Sequence, residues 1–568
     1  MHDLIIRGGL VVDGTGAPPR VADVAVTDGV VVEVGQVEGD AVEVLDAAGL
    51  LVTPGYVDTH THYDGQATWD DRLAPSSWHG VTTAVLGNCG VGFAPVRPER
   101  REWLIQLMEG VEDIPGTALH EGIRWSWETF PEYLEALEAL PRALDVAAHL
   151  PHGALRTYVM GERGADDEPA TDDDIAHMAA LAEEAARAGA VGFSTNRLPS
   201  HRAKDGRSLP GTAAADEELL AIARGLAAGG GGVVQSTSAE GIGEVPGGYR
   251  EEVDRLSRIS RETGLRTTMS LSQNEVRPDL WRDVLDWVHA ATAEGAVLVP
   301  QIAGRPLGLL LGFPTRHQFE GRPSYDEIAH LPLDERVAEL RDPDRRARIL
   351  AEPTDAGLGR FISMMGNKLF PLPDPPDYEP ARGDSLGLAA EDADISLDEA
   401  CYDTYLGADG RQLVLFTLNG YANYDTEHIR TMLEDEATML GLADGGAHCS
   451  LICDASVYTS MLAYWVRDRA SGTVPLELAV SKMTSIPAAL YGFDDRGVIE
   501  AGRRADLNVI DLDRLRLRPP VVAHDLPTGA ARIVQRADGY VRTYVAGVAV
   551  TADDTDTGAR PGRLVRRR

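Results

Sequence analysis

The sequence predicts an α/β protein with two parts: a parallel sheet closed into a barrel through the middle of the chain, and a small β-sandwich built from both chain ends. Three observations predict it. Helical and strand patterns alternate through residues 171–301. Residues 4–52 and 497–550 share a different texture of short β-branched runs. Several side chains able to do chemistry stand at the last residue of an apolar run, which is where a barrel of this kind places its sites.

Taken in order, residues 4–52 are short strands separated by Asp13-Gly14 and Asp28-Gly29, which are hairpin signals. From Pro54 the texture changes. Thr171 with Asp174 three residues later opens a helical pattern carrying Ile175, Met178, Ala182 and Ala185. It stops at Gly189 and is followed by the apolar run 190–193. The same unit recurs as helix 216–228 with strand 232–235, helix 250–263 with strand 266–271, and helix 279–294 with strand 296–301. Eight such units close a TIM (β/α)8 barrel, with its sites at the C-terminal strand ends. Gly229 to Gly232 precede a strand instead of opening a helix, so they are not a phosphate loop. Residues 303–436 break the alternation with Pro371-Leu372-Pro373-Asp374-Pro375-Pro376 and an acidic stretch, and a segment this long inside a barrel is an expected insertion or lid. The expected division is 1–53 and 497–568 for the two parts of the sandwich, the latter with a basic tail from Arg560 expected to be disordered, and 54–496 for the barrel.

Composition excludes several classes. At 568 residues, 43% apolar and with mean hydropathy −0.17, the chain can bury a large core. A net charge of −36 argues against nucleic acid or an anionic membrane as partner. No stretch reaches about 18 uncharged apolar residues, and Met1 to Gly8 do not read as a secretory leader. Four cysteines are too few for a disulfide scaffold, so a cytoplasmic protein is expected.

The chemistry begins in Gly55-Tyr56-Val57-Asp58-Thr59-His60-Thr61-His62-Tyr63-Asp64. Residues i and i+2 of a strand face the same side, so His60 and His62 can reach one ion. Asp444 ends a second apolar run, in Leu442-Ala443-Asp444-Gly445-Gly446, and Cys89 a third, in Leu86-Gly87-Asn88-Cys89-Gly90. Imidazoles with a carboxylate are the donors of a catalytic zinc site that keeps a position open for water. His448, four residues past Asp444, is a candidate for substrate contact, as is Arg197 (with Arg202 behind it), whose guanidinium could grip a carboxylate bidentately.

These motifs resemble the amidohydrolase superfamily, and within it the D-aminoacylase or N-acyl-D-amino-acid deacylase branch. The resemblance rests on PGYVDTHTHYD, GVTTAVLGNCG, PHGALR around His152, GFSTN at 192–196, LADGG around Asp444 and KMTSIPAALYGFDDRGVIEAGRRADLNVID at 482–511. It implies a metal-dependent hydrolase acting on carbon–nitrogen bonds other than peptide bonds, a site role for His152, and an insertion that covers the active site. Two departures stand out. The family's histidines at the ends of the fifth and sixth strands are missing, since the matching segments read Val233-Val234-Gln235-Ser236-Thr237-Ser238 and Thr268-Met269-Ser270-Leu271-Ser272-Gln273-Asn274. The arginine that follows the family's Asp is missing too, with none here before Arg467. Neutral amides and hydroxyls are poor zinc ligands, so one divalent ion per chain, zinc by its donors, is expected, held by His60, His62, Asp444 and Cys89, with Asp444 as general base. The expected substrate is a small-molecule amide, first an N-acyl amino acid, with a cyclic or other acyl amide as the alternative; a homo-oligomer is left open. A barrel that has lost its chemistry and serves as a binding protein is the reading from another class. The set of His60, His62 and Asp444, which has no packing reason to persist, argues against it.

Overall fold

The computed structural model describes residues 1–353 and 357–567. Eight strands follow one another around a parallel sheet: β1 (Tyr56–Asp58), β2 (Val81–Leu86), β3 (Asp145–Pro151), β4 (Gly192–Asn196), β5 (Val233–Thr237), β6 (Arg266–Leu271), β7 (Leu298–Ile302) and β8 (Met439–Leu440). Each pairs in parallel with the next. The ring is joined just past the ends of β1 and β8, where Thr61 bridges Gly445 in parallel, His62 N donates to Gly445 O at 2.8 Å and Asp444 N to His60 O at 3.1 Å. That seam brings two distant sequence motifs side by side.

The helices flanking these strands include α1 (Arg101–Glu112), α2 (Asp172–Ala188), α3 (Asp216–Ala228), α4 (Gly248–Thr263) and α5 (Leu280–Ala293). Helix α2 begins with the capping box expected of Thr171 and Asp174, each side chain accepting from the other's backbone N–H, and ends at Gly189 in the left-handed region. Inside the ring Val57, Val85, Ala147, Val191, Val233 and Met439 pack together with Ala488, Leu490 and Tyr491. The chain enters β1 through Gly55, where a Cβ would come within 2.2 Å of Thr82 Oγ1.

The two chain ends share one sheet. Leu51–Pro54 runs antiparallel to Leu507–Ile510, with Leu4, Ile6, Val24, Val52, Val509 and Tyr544 in the core beneath. Asp28-Gly29 is the tight turn its sequence predicts, both residues at positive φ, joining Arg20–Thr27 to Val30–Gly35. Asp13-Gly14 instead lies in the longer connection 12–19.

The basic tail departs from expectation. It is ordered against the barrel, because backbone pairing and burial hold it. Arg142 bridges Pro561 and Val146 bridges Leu564, Val565 N donates to Val146 O at 2.7 Å, and Leu564 is buried. The charges that suggested disorder are used locally, as when Arg566 reaches Ala188 O and Glu138.

Residues 303–436 carry their own structure. Leu307–Leu311, Val414–Asn419 and Leu369–Pro371 form a three-stranded antiparallel sheet, and Phe313, Phe319, Tyr325, Tyr402 and Tyr405 build a separate aromatic core.

Candidate metal centre

At the C-terminal end of the ring lies a cavity of about 300 Å³ whose lining includes His60, His62, Cys89, Glu112, His201, Arg305, His428, Asp444 and His448. His60 and His62 follow β1, Cys89 follows β2 and Asp444 follows β8. The ring nitrogens of His60 and His62 and the Cys89 sulfur lie within 4.8 Å of one another, all three residues buried. His60 Nε2 is 3.2 Å from Cys89 Sγ and 3.4 Å from Asp444 Oδ1, and His62 Nε2 is 3.6 Å from the same oxygen. Donors around a tetrahedral ion at bond lengths of about 2.0–2.3 Å are about 3.3–3.8 Å apart. The two separations to Asp444 lie in that range and the one between His60 and Cys89 just below it. Cys89 and Asp444 both sit at positive φ, 53° and 48°, a costly conformation for residues other than glycine that is found where a side chain must be aimed.

Neighbouring strands orient these donors. His60 Nδ1 is 2.8 Å from Gln301 Oε1 at the end of β7, and Cys89 N donates to Gln235 Oε1 of β5 at 2.9 Å. Thr237 Oγ1 is 3.3 Å from Cys89 Sγ. Such outer contacts fix the tautomer and direction of a ligating group.

The electrostatics suit a cation. Burial pushes His62 down to about 4, so it is neutral and able to ligate at neutral pH. Burial pushes the Cys89 thiol up, helped by the nearby Glu112 and Asp444 carboxyls, and a bound cation is what reverses such a shift. Burial also acts to raise Asp444, but the hydrogen bond from His62 and the charges of His60 and His448 outweigh it and hold this carboxyl below the usual range.

Of the side chains expected to touch substrate, His448 lines the cavity and the other two do not. His152 is fully buried between Thr195 and Glu218, at 2.9 Å from each, in a cluster that Arg156 completes by pairing with Glu218. It braces β4 against α3. Arg197 donates to Gly211 O and Ala214 O at 3.1 and 2.7 Å, so its guanidinium is tied to a loop. Both corrections have one cause: position after a strand end does not say which way a side chain turns. Arg202 likewise serves a loop, donating to Gly206 O.

Sequence reading missed Glu112, His201, His428 and Arg305. Glu112 had a signal, since it falls four residues after Met108 and seven after Ile105 on the buried stripe of α1, an apolar face that has no packing use for a carboxylate. His201, pushed by burial to about 3, and Arg305 sit in irregular segments where no periodicity marks them, whereas His428, pushed by burial to about 4, shares the buried face of the helix Glu427–Glu434 with Ile429 and Met432.

A family model described as "Amidohydrolase family" matches residues 43–551. A D-aminoacylase of Alcaligenes xylosoxydans xylosoxydans is 28% identical over 100% of this chain and 98% of its own length. An N-acyl-D-aspartate deacylase of the same organism is 26% identical over 99% and 95%. Among solved structures, a D-aminoacylase studied for its binuclear metal centre, with one-metal activation and second-metal attenuation, superposes with a TM-score of 0.67 at 26% identity, covering 100% of both chains.

Proposed function

The chain belongs to the amidohydrolase family, and on that premise we propose that it is a metal-dependent hydrolase that deacylates an N-acyl amino acid, using one ion, zinc by its donors, held by His60, His62, Cys89 and Asp444. The observation that carries the reading is the grouping of His60, His62 and Cys89, with Asp444 beside both histidines, on the wall of one cavity. The one-metal activation described for a D-aminoacylase supports a single ion.

When bound, a divalent ion here polarises the scissile carbonyl and makes water a competent nucleophile at neutral pH. The protein supplies the rest. Asp444, kept ionised, accepts the proton of the attacking water and returns it to the leaving nitrogen. Leu307, Leu309, Leu418, Ile429, Met432 and Leu451 enclose the apolar part of the substrate, and several of them come from residues 303–436, which we take as an insertion closing the site. His448 contacts the substrate from the loop beyond Asp444. A reducing, cytoplasmic location belongs to the same proposal, supported by four free cysteines; among the described residues no helix is long and apolar enough to cross a membrane.

A neutral amide is the second reading, and Arg305 favours it. This arginine lines the cavity but is bound to Asp454 through Nη2 and Nε at 2.6 and 3.0 Å and to Cys453 O at 3.1 Å. A screen of N-acyl D- and L-amino acids beside the matching amino acid amides tests the choice. Turnover of the acids alone supports deacylation of amino acids, turnover of the amides alone supports the second reading, and no turnover of either by metal-loaded protein contradicts both.

A further inference from the structure

Of the carboxylates lining this cavity, Glu112 is the one with a buried oxygen that lacks a hydrogen-bond partner. It ends α1, and its side chain is 1% exposed. Its Oε1 and the Nδ1 of His62 are both buried without a hydrogen-bond partner, and they face each other at 3.5 Å. Two orphaned polar atoms side by side in a dry interior are expensive unless a proton between them satisfies both. The opposite nitrogen of the same ring, Nε2, is the one directed at Asp444. The other carboxylate oxygen, Oε2, is 3.6 Å from His448 Nε2.

The backbone holds this arrangement. His448 N donates to Glu112 O, Cys449 N donates to Asp113 O at 3.2 Å, and Ser450 N and Oγ donate to Asp113 Oδ2 at 2.9 and 2.5 Å. The segment after β2 is thus fastened to the segment after β8, with the Glu112 side chain between the histidines of each. His60 differs, because its outer nitrogen meets the neutral amide of Gln301.

We infer that Glu112 is a positioning residue: it accepts the Nδ1 proton of His62, leaves the Nε2 lone pair facing the ion site, and with its second oxygen holds His448 at the cavity wall. The inference rests on the metal-centre reading. In chemical terms it is a carboxylate–histidine pair behind a ligand, which fixes the ring's tautomer and direction and raises its basicity. It also gives the two adjacent histidines unequal roles, His62 being the more strongly donating of the pair.

The test uses full-length protein stripped of metal and titrated with Zn²⁺ against a chromophoric chelator, with Glu112→Leu and Glu112→Gln beside wild type. Glu112→Leu is expected to weaken zinc binding by about 10–100-fold, the range for lost outer partners. Glu112→Gln, which keeps an accepting oxygen, is expected to lose less. Nitrogen-15 spectra of histidine-labelled wild type are expected to show His62 protonated at Nδ1, a readout that needs no variant to fold. Protonation at Nε2 in wild type, or zinc affinity unchanged in a folded Glu112→Leu protein, overturns the inference. Wild type that binds no divalent ion contradicts the metal-centre reading itself.

Discussion

The two sides of the barrel mouth use polar residues for different ends. On the β1, β2 and β8 side, His60, His62 and Cys89 lie together and Asp444 faces both histidines. On the β5 and β6 side, where the strand-end segments carry no histidine, the polar groups are spent on neighbours. Gln235 and Thr237 brace Cys89. Ser272 Oγ donates to Gly241 O and accepts from Asn419 Nδ2 at 3.0 Å, and Gln273 Oε1 accepts from Ala422 N at 2.9 Å. Asn419 and Ala422 belong to residues 303–436, so the β6 end docks the insertion. A strand end can hold an ion or hold a cover, and a neutral hydroxyl or amide suits the second task because it forms directional bonds with backbone groups at no cost in buried charge.

Substitutions on either side test that contrast. The largest expected effect is at Asp444. Asparagine keeps its shape but removes the base, so turnover of an identified amide substrate should fall by about 10²–10⁴-fold, as for other acid–base groups, with the circular dichroism spectrum unchanged; near-normal turnover would break the assignment. Cys89→Ser is next. Cobalt-substituted wild type should show a sulfur-to-metal charge-transfer band that the variant lacks, and a wild-type protein without the band would make Cys89 a packing residue.

On the docking side, Ser272→Ala should leave metal content unchanged and cost about 1 kcal/mol of stability for the lost bonds, read as a lower denaturant midpoint. A loss of bound metal would show that β6 reaches the ion after all. The last test concerns pH. Burial and the positive Arg336, Arg316 and Arg322 push His317 in the insertion down to about 3. Its folded value lies below its unfolded one of about 6.5, so the unfolded chain binds the extra proton between the two. The stabilisation is complete above pH 6.5 and is lost as pH falls toward 3, with a slope of at most about 1.4 kcal/mol per pH unit. His317→Gln should flatten the acid limb of the stability curve by one proton's worth, and an unchanged slope would mean that this ring is already charged in the fold.

Much of the frame could be read from the chain because its signals are local. The helix from Thr171 and the strand 266–271 are written in caps and periodicity, and the four donors stand at strand ends whose position a barrel fixes. What escaped depends on direction and distance. His152 and Arg197 stand in the right segments but turn toward Glu218 and toward the carbonyls of Gly211 and Ala214, which no spacing rule encodes. Arg305 meets Asp454 across 149 residues. The tail was misjudged because its charge pattern is also that of a disordered end, and only the sheet edge it pairs with distinguishes the two.

Metal content tests the account most directly. Purified protein dialysed against a weak chelator should retain about one divalent ion per chain, and alanine at both His60 and His62 should remove it. Two tightly held equivalents in wild type, or one that survives loss of both histidines, would contradict the one-sided centre described above.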